Sequence, residues 1–160
     1  MKAIVVAGDK NYLTPMLTTI KSILYYNQQV KIYILHQNIP SDWFRELKIQ
    51  VEKLGSVVED IYIGDVIDAE WKTQEHISPI AYARYLIPRL ITEDRVIYLD
   101  SDIIVNGDLS PLFELDLGDY SLAAVRDADG NGFNSGMLVI DSQKWREKDV
   151  TSLLFDKTVE

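Results

Sequence analysis

The sequence predicts an α/β fold in which a mostly parallel central sheet is flanked by helices. Apolar runs and amphipathic segments alternate along the chain in a β-α-β-α-β order, which is the pattern of an α/β sandwich. The first run, Ala3–Ala7, is apolar throughout, as in a parallel strand that is buried on both faces. The chain has 160 residues, of which 47% are hydrophobic and 26% are charged. We therefore expect a single domain over residues 1–160 with a sizeable core.

Two amphipathic helices are predicted between the first three strands. One begins at Thr14-Pro15, because proline is favoured in the first turn of a helix. The other has Ser41 as its N-cap and ends at Gly55, placed at C′. The three strands are Ala3–Ala7, Lys31–Leu35 and Val57–Ile63. The residues that share the apolar faces of the two helices are Leu17, Ile20, Ile23 and Leu24, and Phe44, Leu47, Val51 and Leu54.

The second half of the chain continues the alternation. Residues 65–74 are acidic and aperiodic and predict a loop. Ser78-Pro79 then starts a helix that Pro88 should end or kink, since proline lacks the backbone N–H. The elements predicted after it are the strands Val96–Leu99, Ser121–Val125 and Met137–Ile140, and a short helix, Ser142–Lys148, that carries Trp145.

Charge and composition argue against several kinds of partner. The formal net charge is −9, and a field of this sign repels nucleic acid and anionic membrane surfaces. The apolar run Ala3–Ala7 is too short for a signal-peptide core or a membrane span. The chain has no cysteine, which excludes disulfides and thiolate metal sites. We therefore expect a cytoplasmic enzyme with no membrane span and no nucleic-acid partner.

Two aspartates one residue apart follow the apolar strand Val96–Leu99. Alternate strand residues share a face, so Asp100 and Asp102 project the same way if the extended geometry persists. Open α/β sheets bind ligands at the carboxyl ends of their strands, and paired carboxylates there suit Mg²⁺ or Mn²⁺ holding a diphosphate. A solvated acidic loop is the alternative that the spacing leaves open. A second Asp-x-Asp match, at 127–129, lies in a Gly- and Asn-rich loop without flanking strands.

The turn after the first strand carries no phosphate-binding glycine loop. It reads Ala7-Gly8-Asp9-Lys10-Asn11-Tyr12, without the G-x-G-x-x-G run that lets the backbone approach a pyrophosphate. The chain also has no G-x-x-x-x-G-K-[ST] loop. A bound diphosphate would therefore depend on a metal at Asp100 and Asp102 for neutralisation of its charge.

Four motifs are spread over nearly the whole chain. They are the opening Ile4–Tyr12, the segment Ile77–Pro88, Tyr98-Leu99-Asp100-Ser101-Asp102, and Phe133–Asp141 followed by Trp145-Arg146. In this order they resemble the family 8 retaining glycosyltransferases. The resemblance implies a GT-A fold, a UDP-sugar donor carrying glucose or galactose, a glycan or glycoprotein acceptor, and transfer with retention of anomeric configuration.

The first motif resembles the family's nucleoside-binding turn. The matching positions are Ala7, Asp9, Asn11 and Tyr12. The resemblance implies that the aspartate and the asparagine bond the uracil and the ribose, and that the tyrosine ring stacks on the base. A polar turn with a tyrosine at the edge of the core is the alternative.

The second and third motifs resemble the diphosphate and metal sites of the family. Arg84 matches the arginine that reaches the donor, and a cation suits a diphosphate or the carboxylates that hold the metal. An exposed helix arginine is the alternative. Asp100 and Asp102 would bind Mn²⁺ or Mg²⁺, and Ser101 between them is assigned to donor binding.

The region of the last motif resembles the family's donor-sugar site. Asp127 lies where the family has a carboxylate near the sugar and is the candidate catalytic residue, with turn chemistry as the alternative. Asn134 and Ser135 match the family's Asn-Ala-Gly turn beside the sugar. Serine replaces the usual alanine, and the added hydroxyl bears on sugar preference. Gly136 is expected to permit close backbone approach.

The chain departs from the family pattern at its C-terminal end. The family's catalytic domain continues well past Trp145-Arg146 and supplies a histidine as third metal ligand, whereas only 14 residues follow Arg146 here. His36 and His76 do not match that ligand, and we expect them to be structural or solvated. The chain is therefore expected to be the N-terminal portion of a catalytic domain, unable to transfer sugar alone. We expect it to self-associate or to need a C-terminal segment.

Two other functions are compatible with parts of the sequence. Haloacid-dehalogenase-type phosphohydrolases also place Asp-x-Asp after an apolar strand, but near the start of the fold, and only 58 residues follow Asp102 here. A non-catalytic module that binds a nucleotide sugar differs from a transferase only in what the rest of the protein adds.

Overall fold

The computed structural model describes residues 1–66 and 79–159. The strands are β1 (Lys2–Gly8), β2 (Val30–His36), β3 (Val57–Tyr62), β4 (Arg95–Asp100), β5 (Leu122–Arg126) and β6 (Phe133–Asp141). The helices are α1 (Leu13–Tyr26), α2 (Ser41–Glu52), α3 (Ala83–Leu90), α4 (Ser110–Phe113), α5 (Ser142–Glu147) and α6 (Val150–Val159). Short 3₁₀ helices at Lys10–Tyr12 and Pro79–Tyr82 precede α1 and α3.

The six strands form one mixed sheet in the order β3-β2-β1-β4-β6-β5. The pairs β3–β2, β2–β1 and β1–β4 are parallel, whereas β6 runs antiparallel to both β4 and β5. From β1 the chain first builds the sheet outward through β2 and β3 and then returns to place β4 on the other side of β1. The strand order therefore reverses between β1 and β4, and such a point is where open α/β sheets form a ligand crevice.

Helices cover both faces of the sheet, as the predicted α/β fold requires. On one face, α1 and α2 contribute Met16, Ile20 and Phe44 to a core that includes Ile4 and Ile97. The core on the opposite face is filled by α3 and α5, and its buried residues include Val5, Ala83, Ile87, Tyr98 and Trp145. The predicted mostly parallel sheet between two helical layers is confirmed. No helix in residues 1–66 and 79–159 is both long and apolar enough to cross a membrane.

The second helix confirms one predicted boundary and corrects another. Pro40, not Ser41, is the N-cap, and Ser41 is the first helical residue, because the extended backbone of Pro40 precedes the helix directly. Leu54 is 60% exposed and does not belong to the buried stripe, since it lies beyond the end of α2. Gly55 has φ +74°, and Gly55 N donates to Glu52 O at 2.9 Å. This is a bond of the Schellman motif expected of a C′ glycine.

Pro88 does not end its helix. α3 continues to Leu90, with Pro88 buried inside it. Ile91 N still donates to Ile87 O at 2.9 Å, so one missing N–H is tolerated while the helix buries its apolar face in the core. The helix begins at Ala83 after the 3₁₀ turn Pro79–Tyr82. The predicted loop at 65–74, apart from residues 65 and 66, lies outside the described residues, as does residue 78.

Strand β6 is longer than the sequence predicts. The prediction gave it four residues, Met137–Ile140, but the strand runs from Phe133 to Asp141. Its register with β5 shifts between Ala124, which pairs with Leu138, and Val125, which pairs with Asn134. Residues 135–137 therefore bulge from this pairing, and bulges re-aim side chains near functional sites. The sequence also failed to predict α4 and α6.

Candidate functional site

An open cleft lies at the carboxyl ends of β1 and β4, where the strand order reverses. Its volume is about 560 Å³, including the space open to solvent. The parallel register places Ala7 beside Asp100 at the ends of these two strands. The residues that line the cleft are Ala7, Gly8, Tyr12, Ile80, Ala81, Arg84, Tyr98, Asp100, Ser101 and Asp102. The cleft thus brings together six of the eleven predicted site residues.

The carboxylate of Asp100 has two chemically different oxygens. Oδ1 accepts a hydrogen bond from the Tyr98 hydroxyl at 2.7 Å and another from Arg84 Nη2 at 3.4 Å. Oδ2 faces the backbone of Gly136, where a Cβ atom would lie only 2.7 Å from this oxygen. Gly136 therefore permits the close approach that the sequence predicted, since a Cβ here would force the carboxylate or the strand to move.

Arg84 is held at several points by the protein. Its Nε donates to Ala81 O at 2.8 Å, and its Nη1 donates to Ser135 O at 2.6 Å and to Ser135 Oγ at 2.7 Å. The guanidinium carbon lies 4.9 Å from the centroid of the Tyr98 ring, within the range of a cation–π contact. The side chain is only 14% exposed. Arg84 is thus a fixed positive charge beside Asp100, not an exposed helix arginine.

Burial of Tyr98 makes its hydroxyl a dependable donor. The residue is 2% exposed, and desolvation, opposed by Arg84 and reinforced by Asp100, raises the pKa of Tyr98 well above its usual range. The phenol therefore stays protonated at neutral pH, and its O–H donates a hydrogen bond to Asp100 Oδ1.

The turn after β1 presents a tyrosine to the cleft and uses an aspartate to shape itself. Asp9 is the N-cap of the 3₁₀ helix Lys10–Tyr12, and its Oδ1 accepts a hydrogen bond from Asn11 N at 2.8 Å. Tyr12 is 44% exposed and lines the cleft. The cleft lining given for the described residues does not include Asp9 or Asn11, which lie in the adjoining turn. A Cβ on Gly8 would overlap the terminal methyl group of Met16, so a larger residue here would require the Met16 side chain to shift.

The predicted sugar-site residues lie on the β5–β6 hairpin. Asn134 and Ser135 are strand residues, not turn residues, because β6 begins at Phe133. Ser135 contacts Arg84, which lines the cleft. Both residues also line a neighbouring, more apolar cavity of about 700 Å³. Asn134 Oδ1 accepts from Gly136 N at 2.8 Å. Asp127 lies in the exposed connection, where its N–H donates to Gly132 O at 3.0 Å and its Oδ1 accepts from Ala128 N.

The donor set of the cleft fits a divalent cation that also binds substrate oxygens. Asp100 and Asp102 both line the cleft, and Mg²⁺ is commonly held by one or two carboxylates together with phosphates and waters. Among residues 1–66 and 79–159, no group of three or more histidine, cysteine or acidic side chains could by itself hold a metal ion. In the described part of the chain, a cation in the cleft would therefore have two carboxylate ligands, Asp100 and Asp102, and would take its other ligands from elsewhere.

His36 has the structural environment expected from the sequence. It is buried, its ring centroid lies 4.6 Å from that of Phe44, and its Nδ1 accepts from Ile39 N at 3.3 Å. Burial lowers its pKa, although Asp60 opposes the shift. His76 lies outside the described residues.

The sequence prediction missed Tyr98 as a site residue. The sequence does contain a signal for this residue, because residues two apart on a strand share a face and Tyr98 precedes Asp100 by two. The contribution of Ala81 through its carbonyl has no such sequence signal, since it depends on the 3₁₀ turn before α3.

Comparisons with known proteins agree with this geometry. The model of glycosyl transferase family 8 matches residues 3–157. The chain is 48% identical to the glycosyltransferase GlyD of Streptococcus pneumoniae over 159 residues, which cover 99% of this chain and 20% of GlyD. It superposes on the crystal structure of GlyE from S. pneumoniae with a TM-score of 0.84 at 41% identity, covering 99% of this chain and 38% of that one.

A further similar structure is that of the galactosyltransferase LgtC in complex with donor and acceptor sugar analogues. The TM-score is 0.75 at 25% identity, over 99% of this chain and 66% of LgtC. The chain thus spans between a fifth and about two thirds of the length of these relatives. The predicted GT-A fold is confirmed, and the phosphohydrolase alternative does not account for a family match over nearly the whole chain. The chain belongs to glycosyl transferase family 8.

Proposed function

We propose that this chain forms the donor-binding part of a retaining glycosyltransferase that moves glucose or galactose from a UDP-sugar to a glycan acceptor. The observation that carries the proposal is the cleft at the β1–β4 crossing, where Asp100, Asp102, Arg84 and Tyr12 meet. Paired carboxylates, a fixed cation and an exposed aromatic face are the groups that a metal-bound diphosphate and a stacked base require. The similarity to LgtC, a galactosyltransferase, supports this class of donor.

The nucleoside would bind at the turn after β1. Tyr12 offers an exposed ring at the mouth of the cleft, and stacking on such a ring tolerates any base. Selection of uracil must then come from hydrogen bonds. Asp9 uses Oδ1 to cap its own turn, which leaves Oδ2 to accept a hydrogen bond from the uracil N3–H.

The diphosphate would bind at the end of β4. Asp100 and Asp102 would hold Mn²⁺ or Mg²⁺, which supplies positive charge to the departing nucleoside diphosphate. Arg84 adds a permanent positive charge next to the same carboxylate, because its guanidinium is fixed by Ala81 and Ser135. Retention follows from two displacements through a carboxylate nucleophile, or from same-face attack in which the leaving phosphate accepts the acceptor's proton. Asp127 is the candidate carboxylate near the sugar.

Calorimetric titration of the full chain with UDP tests the metal part of the proposal. We expect UDP to bind more tightly with Mn²⁺ than with EDTA, and we expect Asp102→Asn to lose that gain because it removes one charge at constant volume. The matched control is Asp129→Asn, which changes the second aspartate of the other Asp-x-Asp match, in an exposed turn outside the cleft lining. Equal UDP affinity with and without Mn²⁺ in all three proteins would refute a metal site at Asp100 and Asp102.

A turnover assay run beside the titration separates a transferase from a non-catalytic module. Release of UDP from UDP-glucose or UDP-galactose that depends on an added glycan acceptor supports transfer. Tight, Mn²⁺-dependent donor binding without acceptor-dependent turnover by the full-length protein would favour the binding module.

A further inference from the structure

The two oxygens of Asp100 are not equally available to a ligand. Oδ1 accepts hydrogen bonds from the Tyr98 hydroxyl at 2.7 Å and from Arg84 Nη2 at 3.4 Å. The described residues place no hydrogen-bond donor on Oδ2, which lies beside the backbone of Gly136. The protein therefore orients this carboxylate through one oxygen and leaves the other free.

Tyr98 is well placed to fix that orientation. It lies two residues before Asp100 on β4, so both side chains are on the same face of the sheet. Its ring is almost fully buried, in the same core cluster as Ala7 and Ile80, and the Arg84 guanidinium covers it at 4.9 Å. A phenol held this firmly gives its hydroxyl one direction, toward Oδ1.

We propose that Tyr98 is a positioning residue for a divalent cation: with Arg84 it occupies Asp100 Oδ1, so that Oδ2 alone binds the metal. The inference rests on the proposed function of the cleft, and it adds a residue that does not itself contact the ion. Partners that hydrogen-bond a metal-binding carboxylate fix its geometry, and their loss typically weakens metal binding by about 10- to 100-fold.

The chain contains a closely matched control in Tyr33. This tyrosine on β2 is 4% exposed, and its hydroxyl donates to Glu93 Oε1 at 2.7 Å. Lys31 Nζ lies 4.7 Å from the centroid of its ring, as Arg84 lies over Tyr98. Tyr33 and Glu93 are absent from the residues that line the cleft. Tyr33→Phe therefore removes the same kind of hydroxyl–carboxylate bond without touching Asp100.

The experiment measures Mn²⁺ binding by electron paramagnetic resonance, in which bound Mn²⁺ loses the signal of the free ion. The full chain, Tyr98→Phe and Tyr33→Phe are titrated with Mn²⁺ at saturating UDP, and UDP binding is also measured in EDTA. We expect Tyr98→Phe to weaken Mn²⁺ binding by about 10-fold or more. Tyr33→Phe should bind Mn²⁺ as the wild type does, and UDP affinity in EDTA should be the same in all three proteins.

The outcomes separate this inference from the proposed function. If the wild type binds no Mn²⁺ even with UDP, the metal site and the inference both fail. If the wild type and Tyr98→Phe bind Mn²⁺ equally, the metal site stands and the inference is overturned. Equal losses in both variants would also overturn it, because the effect would then be one of general stability. Should Tyr98→Phe fail to fold by circular dichroism, 4-aminophenylalanine at position 98 restores a donor and must restore Mn²⁺ binding.

Discussion

Gly136→Ala tests whether the bulge in β6 sets the position of Asp100. A Cβ at residue 136 would lie 2.7 Å from Asp100 Oδ2 and 3.0 Å from Asn134 Oδ1, whereas ordinary contacts begin at 3.4 Å. Gly136 does not have a positive φ, so alanine introduces a steric conflict and no backbone strain. The methyl group must displace the carboxylate, or the strand must move away from it.

The size of the effect follows from that overlap. Forcing one extra carbon into a packed position costs about 1–3 kcal/mol. The Asp100 carboxylate is the closest of the contacted groups and is partly exposed, so we expect it to yield first. If the whole cost appears in ligand binding, Mn²⁺-dependent UDP affinity falls by about 10- to 100-fold, because each factor of ten is worth about 1.4 kcal/mol.

The assay is calorimetric titration with UDP in Mn²⁺ and in EDTA, with urea unfolding to follow stability. Gly132→Ala is the control, since it lies in the same hairpin, has no positive φ and has nothing within 4 Å of its added Cβ. It should bind UDP as the wild type does. Wild-type UDP affinity in Gly136→Ala would refute the reasoning, because the methyl group would then fit without moving Asp100.

Two further predictions concern the base and the pH. Tyr12→Ala should weaken UDP binding by about one to two orders of magnitude, since a stacked base is worth about 1–3 kcal/mol. The control Tyr120→Ala changes a tyrosine that is 76% exposed and lies outside the cleft lining, and it should leave UDP binding unchanged. If Tyr12→Ala binds UDP as tightly as the wild type does, Tyr12 has only a structural role. Burial lowers the pKa of His36 below its usual value, so the free energy of unfolding should fall as the pH drops through about 6.5, where the unfolded state takes up the proton first. In urea unfolding between about pH 7.5 and 5.5, His36→Asn should remove this dependence of stability on pH, whereas His76→Asn should keep it. An unchanged pH dependence in His36→Asn would show that His36 is not the group responsible.

Much of the fold could be predicted because its signals are local. Apolar runs predicted all six strands, and helical spacing predicted α1 and α2, since burial on one face imposes those periods. The errors fall where a longer-range contact decides the outcome. The N-terminal half of β6 reads as a turn because Asn134-Ser135-Gly136 has turn composition, but pairing with β5 extends the strand. Likewise, the burial of α3 against the sheet allows it to pass Pro88.

For the candidate site, the sequence allowed prediction of individual residues but not of the contacts between them. The sequence resemblance identified Arg84 and Ser135, but it gave no reason for them to meet, since 51 residues separate them. Their bond exists because β6 returns antiparallel beside β4 and its bulge turns Ser135 toward α3. The serine hydroxyl that replaces the family's alanine therefore contacts the arginine. The expectation that it acts on sugar preference stays a prediction.

The position of β4 in the sheet explains why the parts of the cleft depend on one another. β4 lies between β1 and β6, so the turn after β1 and the glycine of β6 approach the end of the same strand from opposite sides. Asp100 is the residue at that end, and its carboxylate contacts groups from β4, α3 and β6. A substitution at any of these contacting groups therefore acts on the same carboxylate. This is why Gly136→Ala and Tyr98→Phe, on different strands, are both expected to weaken Mn²⁺-dependent binding.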